Sequence, residues 1–279
     1  MEICALCGEE KKLCKSHIIP KFVFDWIKKT SATGYLRQIS NINKRIQDCT
    51  KEELLCIDCE TKFSRYERYF ADKIFYPYLI KDQKSFDYDE TLQKFLISVS
   101  WRLLKKDLEG FKKFQPEMAK YAEETEQYWK EILLNDNLDE KYEHHMLLLD
   151  CIEENNVDNP KDFNIYVLRG TDGTLVSDKT EVYLFIKFPS ILFISSIYPK
   201  SVKKNWENTL IEKSGTIGKK TPVINDPKFG SFLLDRVNLV TESKLSTQQN
   251  KKIEKTMLKD LNKVKNSKSY ELYLKNRKY

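Results

Sequence analysis

Cys4-Ala-Leu-Cys7, Ser16-His17-Ile-Ile-Pro20 and Cys56-Ile-Asp-Cys59-Glu60 are the stretches from which the rest of this chain is read. Two Cys-x-x-Cys pairs flank one histidine. A single pair is ambiguous between a redox couple and half of a metal clasp. Two pairs, about fifty residues apart, have the arithmetic of a Cys₄ zinc site, because zinc is tetrahedral, takes thiolates readily and is closed by two short clasps. A disulfide framework does not suit a reducing compartment. A cytoplasmic location is expected. The opening residues carry Glu2, Glu9 and Glu10 and lack the apolar core of a signal peptide, and no run approaches the roughly eighteen apolar residues of a membrane span.

Around that nucleus the helix and strand patterns are legible. Glu60 to Phe70 reads as a helix. Phe63, Tyr66, Phe70 and Ile74 form its apolar stripe, and Glu60, Ser64 and Glu67 form an adjoining polar stripe. Phe22 to Ile27 reads as a short helix after Pro20. Gly34 to Ile39 and Lys44 to Asp48 read as a hairpin with Asn41 and Asn43 near its turn. Arg37, Lys44 and Arg45 on that hairpin suit a phosphate backbone or an ordinary charged surface equally.

These residues and their order resemble the HNH (His-Me finger, ββα-metal) endonucleases, most closely the zinc-containing endonuclease VII-like branch. There the order is C-x-x-C, then D-H-I-x-P, then C-x-x-C-N. The resemblance covers roughly the first 80 residues. It implies a treble-clef zinc finger in which Cys4, Cys7, Cys56 and Cys59 hold structural zinc. His17 is then the general base and a Mg²⁺ or Mn²⁺ ion serves catalysis. The substrate is a nucleic acid, most naturally DNA. The chain departs from the family at two positions, with Ser16 for the Asp and Glu60 for the Asn. A hydroxyl is a poor ligand for a hard cation and a carboxylate a good one, so the charge is kept but moved across the site. Glu60 is therefore the expected anchor of the catalytic ion, with Glu67 a second candidate. Asn41 or Asn43 would suit the orienting Asn of such sites. The other reading of the same residues is a non-catalytic Cys₄ module that binds nucleic acid or a protein.

Length and composition fit that frame. At 279 residues, with 41% hydrophobic residues and 8 Gly and 8 Pro, the chain is globular and has room for one large or two small domains. Residues 1–82 are expected to be the HNH-like finger and 83–279 an α+β domain whose role the sequence does not give. A net charge of +6 permits an anionic partner without demanding one. Of seven cysteines, Cys14, Cys49 and Cys151 remain as thiols after four are assigned to zinc.

The expected class is α+β throughout. Residues 85–150 read as helices, with Leu92, Phe95, Leu96, Val99 and Leu103 on one apolar face and Gly110 or Pro116 closing the first. His144 and His145, adjacent on such a helix, read as surface or partly packed residues. Residues 160–240 read as β-rich: a strand over Phe163–Leu168, a tight turn at Gly170–Gly173, and a hairpin of Glu181–Phe188 with Ile191–Ile197 in which one strand is well buried. That region carries no histidine, phosphate loop or nucleophile elbow, so it is expected to be a scaffold, a surface for a protein partner, or a sensor that controls the finger. HNH-like nucleases are often paired with sensing domains, which implies an effector of phage defence. Cutting both strands would favour a homodimer. Residues 246–279 read as a basic helix capped by Ser246. From Lys251 to Tyr279 there are ten Lys or Arg and three acids, which suits a solvated face or a nucleic-acid arm.

Overall fold

The computed structural model describes residues 1–38, 41–139, 141–150, 163–201, 206–241 and 244–276; Ile39, Cys151 and Tyr279 lie outside the described residues. It is α+β with a cysteine cluster near the N-terminus. β1 (Glu2–Ile3) and β2 (Glu10–Lys11) pair antiparallel. Between them Gly8 turns the chain at a φ of 75°, where a residue without Cβ meets no steric penalty. β3 (Leu13–His17) then pairs with β6 (Lys51–Cys56), setting Leu13 opposite Cys56 and His17 opposite Lys51. α2 (Ile57–Phe70) follows β6 with no intervening loop and buries Phe63, Tyr66 and Phe70, the expected stripe.

Between β3 and β6 lie α1 (Lys21–Lys29), which buries Val23, Phe24 and Trp26, and the hairpin of β4 (Leu36–Gln38) with β5 (Asn41–Ile46). Asn41 opens β5 opposite Gln38, and Asn43 follows two residues on, so both lie near the end at which the hairpin's strands join, as expected. After α2 a π-helical turn (Ala71–Phe75) leads into α3 (Tyr76–Lys81).

β7 (Phe86–Tyr88) precedes α4 (Glu90–Phe114), capped by Asp89, whose Oδ1 accepts from the Thr91 N–H at 2.8 Å. α4 runs for 25 residues and is buried on nearly all sides from Leu92 to Leu104. α2, α5 (Pro116–Asn135) and the main sheet pack around it. Gly110 sits inside α4; the break comes at Gln115, where Pro116 opens α5.

The main sheet is antiparallel, in the order β8 (His144–Leu148), β11 (Ile191–Tyr198), β10 (Val182–Phe188), β9 (Asp172–Ser177). Both strands of the β10–β11 hairpin are buried, not one. Alternate residues serve two cores. Leu184, Ile186, Phe188 and Phe193 join Phe70 and Phe95 in the main core, whereas Tyr183, Phe185, Leu192 and Ile194 join Trp206 and Phe229 in a second. A sheet covered on both faces reads as an unbroken apolar run, as these strands do. The main core also contains Cys4, Leu6 and Phe63, so the cysteine knuckle shares one interior with α4 and the sheet.

Four further expectations are corrected. Phe163–Leu168 is not a strand but part of α6 (Phe163–Arg169), because Phe163, Tyr166 and Val167, spaced three and four, bury together against Val237. Gly170 ends it, and the tight turn gives way to β9, which already contains Gly173. His144 and His145 are on strand β8, not a helix, and both are buried. Their Nδ1 atoms meet Ser195 Oγ at 2.8 Å and Thr209 Oγ1 at 2.9 Å. Short strands β12 (Trp206–Glu207), β13 (Gly215–Ile217) and β14 (Val223–Ile224) and helix α7 (Pro227–Thr241) follow the sheet. The single C-terminal helix is instead three: α8 (Thr247–Leu258), α9 (Leu261–Lys265) and α10 (Lys268–Asn276). Asp260 recaps the chain, its Oδ1 accepting from Lys263 N–H at 2.9 Å. Ser246 caps α8 as expected.

Lys187 in β10 is fully buried, and its Nζ donates to Gly170 O at 2.8 Å and Phe188 O at 3.2 Å. Burial pushes its pKa down to about 7. Above that value the unfolded chain still holds the proton and the folded chain does not, so this lysine makes stability rise with pH up to the ordinary lysine range. In urea unfolding between pH 7 and 9, wild type should therefore gain on Lys187→Met by up to roughly 1.4 kcal/mol per pH unit. A difference that does not change with pH would contradict this.

Candidate metal centre and the histidine beside it

The β3–β6 pairing closes the two cysteine clasps on each other. One sulfur from each of Cys4, Cys7, Cys56 and Cys59 lies within 4.8 Å of the others, and Cys7 Sγ stands 3.9 Å from Cys56 Sγ. A tetrahedron of thiolates around zinc has sulfurs about 3.8 Å apart, so the donor set fits zinc. The backbone is already arranged for a thiolate. Cys56 N–H donates to Cys4 Sγ at 3.3 Å. Burial raises the Cys4 pKa, but N–H groups of Cys56, Cys7 and Leu6 outweigh it and bring the thiol down to about 7. Burial and neighbouring sulfurs push Cys59 up, and burial does the same at Cys7. A central cation is what would ionise such a set together. Cys14 and Cys49 stand outside it as free thiols.

On the next ladder positions, Ser16 is fully buried and its Oγ donates to Glu60 Oε2 at 2.7 Å. The two residues that stand where the resemblance expects Asp and Asn are thus direct partners across β3 and α2. His17, next along β3, holds Asp48 instead, with Nε2 3.1 Å from Oδ1. Asp48 Oδ2 takes Lys51 Nζ at 2.5 Å, and its Oδ1 accepts the Cys49 N–H at 2.9 Å. Burial raises the Asp48 pKa, but Lys51, the Cys49 N–H and His17 together hold it well below the usual carboxylate range. A carboxylate only accepts, so His17 Nε2 carries the proton and Nδ1 keeps its lone pair in the neutral ring. Cys49 lies in the same cluster, its thiol pushed up to about 12 by burial and the Asp48 charge.

Glu67 is committed elsewhere. Arg102, fully buried in α4, places Nη2 2.8 Å from Glu67 Oε1 and donates from Nη1 to the His17 carbonyl at 2.7 Å. Its Nε donates to Ser98 O at 3.2 Å, which fixes the guanidinium to α4. Among the described residues, Glu60 and Glu67 belong to no cluster of three ligand groups. Ser64, on the same stripe, turns its hydroxyl to Thr61 O at 2.8 Å.

The basic residues are also placed. Arg37 donates to Ile42 O at 2.6 Å and to Gln249 Oε1 at 3.3 Å, and Asn43 Oδ1 accepts the Ser246 N–H at 2.8 Å. Arg45 lies over the Tyr35 ring at 4.5 Å. Arg37 and Asn43 thus moor α8 to the hairpin, while Lys44 remains exposed. α8 has no buried residue, so its lysines face solvent.

Asp48 and Arg102 were missed by the sequence reading. Arg102 left a signal, a lone cation inside the apolar run of α4, which demands a buried partner. Asp48 left none until the β3–β6 register was known. No family model, no curated protein and no solved structure matches the chain. Among the described residues, no helix is long and apolar enough to cross a membrane.

Breaking the Arg102–Glu67 pair from one side leaves a half-buried carboxylate alone. Arg102→Met should cost about 3–5 kcal/mol in chemical denaturation, and adding Glu67→Gln should recover part of it. Strict additivity of the two changes would contradict the pairing.

Proposed function

We propose that this protein is a metal-dependent, HNH-like endonuclease that hydrolyses phosphodiester bonds in DNA, built on a treble-clef finger whose Cys4, Cys7, Cys56 and Cys59 hold structural zinc. The observation that carries the reading is the succession on one antiparallel pair and its following helix: Ser16 bonded to Glu60, and His17 beside it bonded to Asp48. In this reading His17 Nδ1 takes the proton from the attacking water. Asp48 is a positioning residue that accepts from Nε2–H, fixes the tautomer and stabilises the imidazolium as it forms. Glu60 would anchor Mg²⁺ or Mn²⁺, its carboxylate oriented by the Ser16 hydroxyl on Oε2. Such an ion, when bound, neutralises charge on the scissile phosphate and the leaving oxygen. Glu67 supports the site through Arg102 rather than as a ligand.

DNA as substrate is supported by the exposed lysines of α8, a helix that Arg37 and Asn43 moor to the β4–β5 hairpin. The second reading, a non-catalytic zinc module that binds nucleic acid or a protein partner, draws on the same Ser16–Glu60 bond, because a carboxylate already satisfied by a hydroxyl is less available to a cation.

The test is nicking of supercoiled plasmid with Mg²⁺ or Mn²⁺, with zinc content measured alongside. Wild type should cut, and His17→Ala should lose roughly a hundredfold or more in rate at equal zinc. Equal cutting by both would remove His17 from catalysis, and no cutting by zinc-loaded wild type would favour the binding module.

A further inference from the structure

Away from the histidine, a cavity of about 340 Å³ opens between α1, α3, α6 and α10. That is the size of a small-ligand pocket. Trp26, Leu79, Leu149 and Leu272 give it apolar walls. Arg169, the last residue of α6, also lines it. This guanidinium lies over the Trp26 ring at 5.4 Å and donates to Thr30 Oγ1 at 3.1 Å and Ile27 O at 3.0 Å. Those partners are neutral oxygens. No carboxylate pairs with Arg169 among the described residues, and burial lowers its pKa to about 10 with nothing to offset it. A desolvated cation that lines a cavity with no carboxylate paired to it is a costly arrangement that an anion would relieve.

Two further donors face no partner. The Trp26 indole N–H is buried and makes no hydrogen bond among the described residues. Ser190, whose backbone serves Leu149 and Val167, lines the cavity and has no partner for its hydroxyl among the described residues. Ser190 holds a φ of 57° as the second residue of the tight β10–β11 turn, which fixes its place at the cavity wall. The carboxylates on the rim are spoken for: Asp82 and Asp150 by Lys84, at 2.8 and 3.0 Å, and Glu271 by Lys268, at 3.3 Å.

We propose that this cavity is a binding site for a small organic anion, one phosphate or carboxylate group on an apolar or aromatic body, with the anionic group on Arg169 and Ser190 and the body against Trp26 and the leucines. The site is independent of the nuclease reading. It joins α1, which begins directly after the His17-Ile-Ile-Pro20 stretch, to α6 and α10.

The test is isothermal titration of the full chain with phenyl phosphate and with benzoate, using phenol as the uncharged control and inorganic phosphate as the bodiless one. One anion per chain should bind, roughly tenfold or more tighter than inorganic phosphate, with phenol silent. Arg169→Met should lose at least about tenfold. Ser190→Ala, which leaves the α1 contacts intact, should lose roughly threefold to tenfold, with its melting temperature held near wild type. Preference between phenyl phosphate and benzoate would assign the phosphate or carboxylate class. No binding of either anion, or equal binding by wild type and Ser190→Ala, would overturn the proposal.

Discussion

The antiparallel pairing of β3 with β6 is the constraint on which everything near the N-terminus depends. It brings Cys56 beside Leu13, and with it the second cysteine clasp onto the first. It also delivers α2 at an angle from which Glu60 reaches Ser16. The ladder is only five pairs long and carries a bulge between Cys14 and Lys15, too little to stand alone in water. Two things reinforce it. One is the four-sulfur cluster, compatible with zinc. The other is Arg102, which grips the His17 carbonyl from α4 and ties it to Glu67 on α2. The second grip comes from the part of the chain that the sequence alone assigned to a separate unit, so the histidine strand is braced by the rest of the molecule.

What could be read in advance follows from the range of the interactions. The cysteine clasps, the apolar stripe of α2 and the Ser246 cap are local patterns, and each is where the sequence reading put it. The β10–β11 hairpin was legible because Pro189-Ser190 separates two apolar runs. Failures came where a tertiary partner overrode local preference. Phe163-Asn-Ile-Tyr-Val-Leu168 looks like a strand by composition, but Val237 in α7 offers a surface that suits its helical spacing. His144 and His145 look idle on a helix and turn out to be buried hydrogen-bonded strand residues, because β11 needs an edge partner. Within the candidate site, His17 and Glu60 were visible as residues, but not that Ser16 holds Glu60 while His17, the next residue on a strand whose side chains alternate, holds Asp48. Asp48 could not be found, since only the register places it against the imidazole.

The site combines strong and weak restraints. The Arg102 network is buried and charged, so it is costly to break. The Asp48 network is half exposed, and Lys51 shares its carboxylate with His17. Lys51 and Asp48 are each about one-third exposed, so Lys51 can leave this pair without stranding a buried charge. The Ser16–Glu60 bond is the opposite case, with a fully buried hydroxyl that holds one carboxylate oxygen in a fixed place.

The most direct measurement of the central proposal is electron paramagnetic resonance of Mn²⁺ added to the zinc-loaded chain, comparing wild type with Glu60→Gln. The account predicts one bound Mn²⁺ per chain in wild type and its loss in Glu60→Gln while zinc content stays the same. Mn²⁺ binding that is absent in wild type, or unchanged by Glu60→Gln, would contradict the assignment of Glu60 as the anchor of a catalytic ion.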